Sequence, residues 1–108
     1  MNVLISGVAG DIGLGAGRIL KEWGIFKNIY GIDIKKHHIG NFLFKKCQMC
    51  PEAKDRSYIT WLRSFIEKYS IDLFIPTSEA EISLLNNFNI KKLSKALLLI
   101  NTNFTIIN

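Results

Sequence analysis

The stretch that most restricts this chain is Gly7-Val8-Ala9-Gly10-Asp11-Ile12-Gly13, which follows the apolar run Val3-Leu4-Ile5 and leads into Gly15, Gly17 and a run rich in Ile, Leu and Lys. A strand that halts at a glycine and resumes as a helix leaves bare N–H groups at the positive end of the helix dipole, where anions settle. Glycine suits such a turn because it accepts positive φ and lets another group approach the backbone closely. The spacing therefore points to a cradle for a phosphate, a dinucleotide or a carboxylate. The same glycines also serve a purely structural end, letting the first helix lie close against its sheet.

At 108 residues the chain is expected to form one domain, residues 1–108, large enough to bury a core of its own. Hydrophobic residues make up 48% and charged ones 21%, a balance that places it with folded globular chains rather than disordered ones. The formal net charge is +5, yet the lysines are scattered, with Lys35-Lys36, Lys45-Lys46 and Lys91-Lys92 as the only doublets. That pattern reads as a solvated basic surface, so no nucleic-acid partner is expected. No apolar run reaches the roughly 18 residues that span a bilayer, and the N-terminus lacks a signal peptide's basic-then-apolar layout. No membrane partner is expected, and a cytoplasmic, reducing setting is.

Cys47 and Cys50 form a Cys-x-x-Cys spacing ahead of Pro51. A zinc site needs two further ligands, and His37 and His38 are adjacent in sequence and poorly placed to reach one ion together. A redox pair belongs at a helix start, whereas these cysteines follow Phe42-Leu43-Phe44 near a strand end. Two reduced thiols and no metal site are the expectation.

In order, Val3 to Ser6 reads as a first strand buried on both faces. A helix follows from Asp11, with apolar Ile12, Ile19, Leu20 and Trp23 at helical spacing and Gly24 as its C-cap. Ile29 to Ile34 is a second strand. Its Asp33 lies 33 − 13 = 20 positions past Gly13, where a dinucleotide-binding unit places its ribose-binding carboxylate, although an Asp there also caps the next turn. Asn41 to Met49 leads into a third strand. Asp55 is a candidate N-cap for a helix running to Tyr69, with Tyr58, Leu62, Phe65, Ile66 and Tyr69 on one stripe. Ile71 to Pro76 is a fourth strand. Ser78-x-x-Glu81 is a capping box for the helix carrying Ile82, Leu85 and Phe88, while Thr77 and Glu79 stand at the strand's carboxyl end without a structural duty. Ala96 to Ile100 is a fifth strand, and residues 101–108 begin a further strand-end turn. The fold class expected is α/β: a Rossmann-like, open, mostly parallel five-stranded sheet with helices on both faces.

Asn2-Val3-Leu4-Ile5-Ser6-Gly7-x-x-Gly10, then Arg18-Ile19-Leu20-Lys21, Tyr30-Gly31-Ile32-Asp33 and Asp72-Leu73-Phe74-Ile75-Pro76-Thr77-Ser78-Glu79-x-Glu81, resemble the N-terminal pre-ATP-grasp domain of ATP-grasp ligases, and among these the carbamoyl-phosphate synthase large-subunit-like proteins. The likeness covers essentially the whole chain, and the strand-Pro-Thr-x-Glu-x-Glu stretch is its most specific part. It implies a Rossmann-like domain that holds no dinucleotide and forms one wall of the acceptor-substrate pocket. ATP and Mg belong to later subdomains of the full-length protein. Carried onto this chain, it implies no catalytic residue and no cofactor of its own. It implies a downstream ATP-grasp domain as partner, and a small carboxylate or amine substrate near Gly7, Gly10, Asp11, Gly13, Thr77, Ser78 and Glu79.

Two other readings stand beside it. An NAD(P)-binding module of epimerase or reductase type would use Gly7, Gly10, Gly13 and Asp33; those epimerases carry a Tyr-x-x-x-Lys pair after the fourth strand, and this sequence has no Tyr there. A stand-alone interaction domain would self-associate, as a homodimer, through apolar residues near its end, Phe104 to Ile107. The ending at Asn108, inside a strand–helix unit, suggests the leading domain of a longer protein.

Overall fold

A computed structural model describes residues 1–35, 44–87, 92–93 and 96–98. Among these residues six strands form one sheet. In chain order the elements are β1 (Asn2–Ser6), α1 (Asp11–Trp23), β2 (Asn28–Asp33), β3 (Lys46–Met49), α2 (Tyr58–Lys68), β4 (Leu73–Ile75), α3 (Glu79–Asn87), β5 (Lys92–Leu93) and β6 (Ala96–Leu98). The strand order is β3-β2-β1-β4-β6-β5. All pairings are parallel except β5 with β6. The five expected parallel strands are present, and the two-residue β5 adds an antiparallel edge too short to leave a period in the sequence.

Alternation along β1 separates the two faces, because successive side chains of a strand point to opposite sides. Leu4 packs with Tyr30, Ile32 and Phe74 against Tyr58, Leu62, Phe65 and Ile66 of α2 and Leu85 of α3. Val3 and Ile5 pack with Val8, Leu20 and Phe44 on the side of α1. Each face of the sheet thus carries a helical layer, as the sequence leads one to expect.

Three local expectations are corrected. Ile12, Ile19 and Trp23 are exposed; the inward face of α1 is Gly13, Gly17 and Leu20. At Gly13 the helix lies too close to the end of β1 for any side chain, and the apolar period marks its flank. The α2 helix starts at Tyr58 and not directly after Asp55, because Asp55 Oδ1 accepts from the Ser57 N–H and hydroxyl at 2.9 and 2.8 Å and holds a turn ahead of it. β4 is shorter than expected, Leu73–Ile75 in place of Ile71 to Pro76. Gly24 ends α1 in the left-handed region, φ 69°, as a C-cap should. His37, His38, Phe42, Leu43, Phe88, Ile100 and residues 101–108 lie outside the described residues.

Candidate functional site

β1 and β4 are neighbours, and the helices that follow them, α1 and α3, pack on opposite faces of the sheet. Such a switch in direction opens a crevice at the carboxyl ends of the strands, where open α/β sheets bind ligands. The crevice here measures about 750 Å³. Its walls are the Gly7–Gly13 turn, the end of β2 from Asp33 to Lys35, the segment after β3 around Cys50 and Lys54, and the start of α3.

The turn is built by close backbone contact. Gly7 has φ +65°, and a Cβ there would run into Thr77 Oγ1. A Cβ on Gly13 would stand 2.7 Å from the Gly7 carbonyl carbon and 2.9 Å from the Ser6 oxygen. The two glycines therefore let β1, α1 and the end of β4 meet. Thr77 closes the joint: its hydroxyl donates to the Ser6 carbonyl at 2.8 Å, and its N–H donates to Ser6 Oγ at 3.1 Å.

The amides of the turn divide into two sets. Val8 N–H donates to the Ile32 carbonyl at 3.4 Å, Gly10 N–H to the Gly7 carbonyl at 3.0 Å, and Ala9 N–H to Asp33 Oδ2 at 2.9 Å. Asp33, only 7% exposed, also accepts from Lys35 N–H at 2.9 Å. The following three amides, Asp11, Ile12 and Gly13, form the first turn of α1 and have no acceptor within the helix. The N-cap, Gly10, supplies no side chain to them.

Ser6, Tyr58, Ser78 and Glu81 form the second feature. Glu81 is 6% exposed and takes three hydroxyl donors. Oε1 accepts from Ser6 and Ser78, each at 2.7 Å, and Oε2 accepts from Tyr58. The Glu81 N–H donates to Ser78 Oγ at 3.2 Å, which is the expected half of a capping box. The carboxyl group does not turn back onto Ser78's amide; it reaches β1 and α2 instead. Burial and the adjoining Glu81 carboxyl push the Tyr58 hydroxyl far above its ordinary pKa, fixing it as the donor.

Gly7, Gly10, Asp11, Gly13, Asp33, Thr77 and Ser78 are all brought to the crevice wall. Glu79 is exposed on the first turn of α3 and lines no part of it; Glu81, two residues on, does. Sequence reasoning gave Glu81 a local cap and left out Ser6, Tyr58, Lys35, Cys50 and Lys54. The signal for Ser6 was available, as a polar residue ending an otherwise apolar strand. Cys47 and Cys50 form no disulfide and belong to opposite faces of the sheet. Among the described residues no three His, Cys, Asp or Glu side chains converge to hold a metal ion.

Four acidic side chains line the crevice, Asp11, Asp33, Glu52 and Glu81, against two lysines, Lys35 and Lys54. Lys54 lies 3.7 Å from Glu52, but both are well exposed and the pair contributes little. The site therefore offers an anion-seeking helix start beside predominantly acidic walls.

No known protein family matches the sequence, and no curated protein matches it. Solved structures do. Glycinamide-RNase-transformylase T from Mycobacterium tuberculosis superposes with TM-score 0.61 at 11% identity, over 91% of this chain and 28% of its own. A GalE-like L-threonine dehydrogenase from Cupriavidus necator, in its holo form, gives 0.59 at 21% identity, over 81% and 27%. The dTDP-glucose 4,6-dehydratase of Bacillus anthracis, in complex with NAD, gives 0.52 at 14%, over 82% and 34%. The chain spans about a quarter to a third of the length of each. At these identities the likeness extends to architecture alone: the chain has a Rossmann-like fold.

Proposed function

We propose that this chain is the substrate-side domain of an ATP-grasp carboxylate–amine ligase, resembling the carbamoyl-phosphate synthase large subunit. In this reading its crevice holds a small molecule bearing a carboxylate, an amine or both. The observation that carries the reading is how the turn amides are used. Val8, Ala9 and Gly10 donate within the protein, whereas the three amides at the start of α1 have no acceptor in the helix and face a ligand in this reading. Three convergent N–H groups suit a carboxylate, and the acidic walls suit an ammonium group beside it. Charge-assisted hydrogen bonds of this kind contribute about 1.5–3 kcal/mol each, enough to orient a substrate. The best-superposing of the structures above, glycinamide-RNase-transformylase T, is an ATP-grasp enzyme, which fits the reading.

ATP and Mg enter this reading only through a downstream ATP-grasp domain. Among the described residues no three His, Cys, Asp or Glu side chains converge on a metal ion, and this reading assigns them no phosphoryl step. The domain on its own is then catalytically silent, in a reducing, cytoplasmic setting.

The second reading is an NAD(P)-binding module, favoured by Asp33 standing in the crevice and by the NAD-bound dehydratase among the superposing structures. Against it, both carboxyl oxygens of Asp33 already accept backbone N–H groups, one of them from the turn that would hold the diphosphate. Calorimetric titration of the chain with NAD+, NADP+ and their reduced forms separates the two. The ligase reading expects no saturable heat up to millimolar dinucleotide and no ATP turnover. Saturable micromolar binding, or ATP hydrolysis by these 108 residues, overturns it.

A further inference from the structure

We infer that the reactant held in the crevice is an α-amino acid with a large apolar side chain, its three substituents divided among three sectors of the crevice wall. The inference rests on the carboxylate reading above and gives it a substrate class. The crevice measures about 750 Å³. That falls within the range of about 300–1,000 Å³ that takes drug-sized ligands, and glycine leaves most of it to water.

The strand order lays the sectors side by side. β1 is central, with β4 on one side of it and β2, then β3, on the other. The start of α1, which follows β1, takes the carboxylate. On the β4 side, Thr77 and Ser78 line the crevice with their hydroxyl protons already committed. Thr77 donates to the Ser6 carbonyl and Ser78 to Glu81 Oε1. What such oxygens still offer is lone pairs, which accept from an ammonium group and repel a carboxylate. That orients the amino acid: carboxylate at the centre, ammonium toward β4, and the side chain toward β2 and β3.

The wall on that side suits an apolar group. Ile34, just past β2, is 52% exposed, and Ile12, in the first turn of α1, is 73% exposed. Both line the crevice, together with Cys50 and Pro51 past the end of β3. The polar groups of this sector are engaged or stand at its rim. Asp33 accepts two backbone N–H groups, Glu52 and Lys54 face each other at 3.7 Å, and Lys35 is exposed. Adjacent strands lie about 4.8 Å apart, so the ends of β2 and β3 stand about 5 and 10 Å from β1. A methyl group on the ligand's Cα does not span that distance, whereas a phenylalanine-sized side chain does. One exposed isoleucine is ordinary. Two on the wall of a single cavity, beside groups that orient an amino acid, are accounted for by the apolar part of its ligand.

Amide-resolved NMR titrations of the 108-residue chain with glycine and with L-phenylalanine test this. Both ligands should shift the Asp11–Gly13 amides, and only phenylalanine should also shift Ile34. Burial of its ring should give phenylalanine about tenfold the affinity of glycine or more. Ile34→Ala, at an exposed position, should remain folded by circular dichroism and lower the phenylalanine-to-glycine affinity ratio about threefold or more. Ile19→Ala, on the outer flank of α1, should keep the parent's ratio. Equal affinity for the two amino acids, or an unchanged ratio in Ile34→Ala, overturns this inference and leaves the carboxylate reading standing. Asp11–Gly13 amides unmoved by either amino acid overturn both.

Discussion

The Ala9 amide donates to Asp33 Oδ2 at 2.9 Å, so the last residue of β2 holds the glycine turn from across 24 positions of the chain. Asp33 is the residue on which the two functional readings part. As a clamp it is part of the turn; as a ribose acceptor it would have to serve a ligand while keeping both backbone donors.

Replacing Asp33 with Ala removes an acceptor from a part-buried amide and from Lys35 N–H. A loss of about 1–3 kcal/mol in unfolding free energy is expected from urea denaturation. Asp33→Asn should recover part of it, since its carbonyl oxygen still accepts one of the two bonds.

Glu81 ties three elements together through Ser6, Tyr58 and Ser78. Tyr58→Phe should cost about 1–2 kcal/mol, and Glu81→Ala about 3 kcal/mol or more, because it leaves buried hydroxyls without an acceptor. The double variant should lose clearly less than the sum of the two. Strict additivity in denaturation would mean that the hydroxyl and carboxyl do not act together.

Two glycines of one helix should respond with opposite sign. Gly13→Ala forces a methyl against the backbone of Ser6 and Gly7 and should destabilise by about 1–3 kcal/mol, outweighing alanine's better helix propensity. Gly15→Ala enters open space and should stabilise the folded monomer by about 0.5–1 kcal/mol. Thermal melts of the two variants at low concentration provide the comparison.

Burial pushes the Cys47 thiol up to about 11 and the Cys50 thiol up to about 12, with Asp33 adding to both and Glu81 to Cys50. The unfolded chain gives up these protons first, near 9.0, so stability is fully present below that pH. It should fall as pH rises from about 9 through 11 to 12. Tyr58, raised in the same direction, extends the trend. Cys47→Ala/Cys50→Ala should flatten the alkaline slope, and thiol-reactive dyes should label the native protein slowly at neutral pH.

Much of the architecture was legible because its signals are local. Short apolar runs ending at Gly7 and Pro76 mark β1 and β4, and Tyr58, Leu62, Phe65 and Ile66 fall on one helical stripe and are buried. The misreadings share a cause. Counting apolar residues in α1 selects Ile12, Ile19 and Trp23, whereas the face against the sheet is chosen for closeness and carries Gly13 and Gly17, which no hydrophobic period detects. Glu81 reads locally as a cap, but its other partners, Ser6 and Tyr58, lie 75 and 23 positions away. Sequence spacing placed Gly7 and Thr77 at the same edge of the sheet; it could not show that one exists to make room for the other.

The claim at the centre of this account is that the first turn of α1, and not the glycine turn ahead of it, receives a small carboxylate. Amide-resolved NMR of the chain titrated with glycine and with acetate, against matched sodium chloride, tests it most directly. The account predicts saturable shifts at the Asp11, Ile12 and Gly13 amides, stronger for glycine because the acidic walls favour its ammonium group, with Ala9 little changed. Unmoved Asp11–Gly13 amides, or a response centred on Ala9 that appears only with dinucleotide, would contradict it.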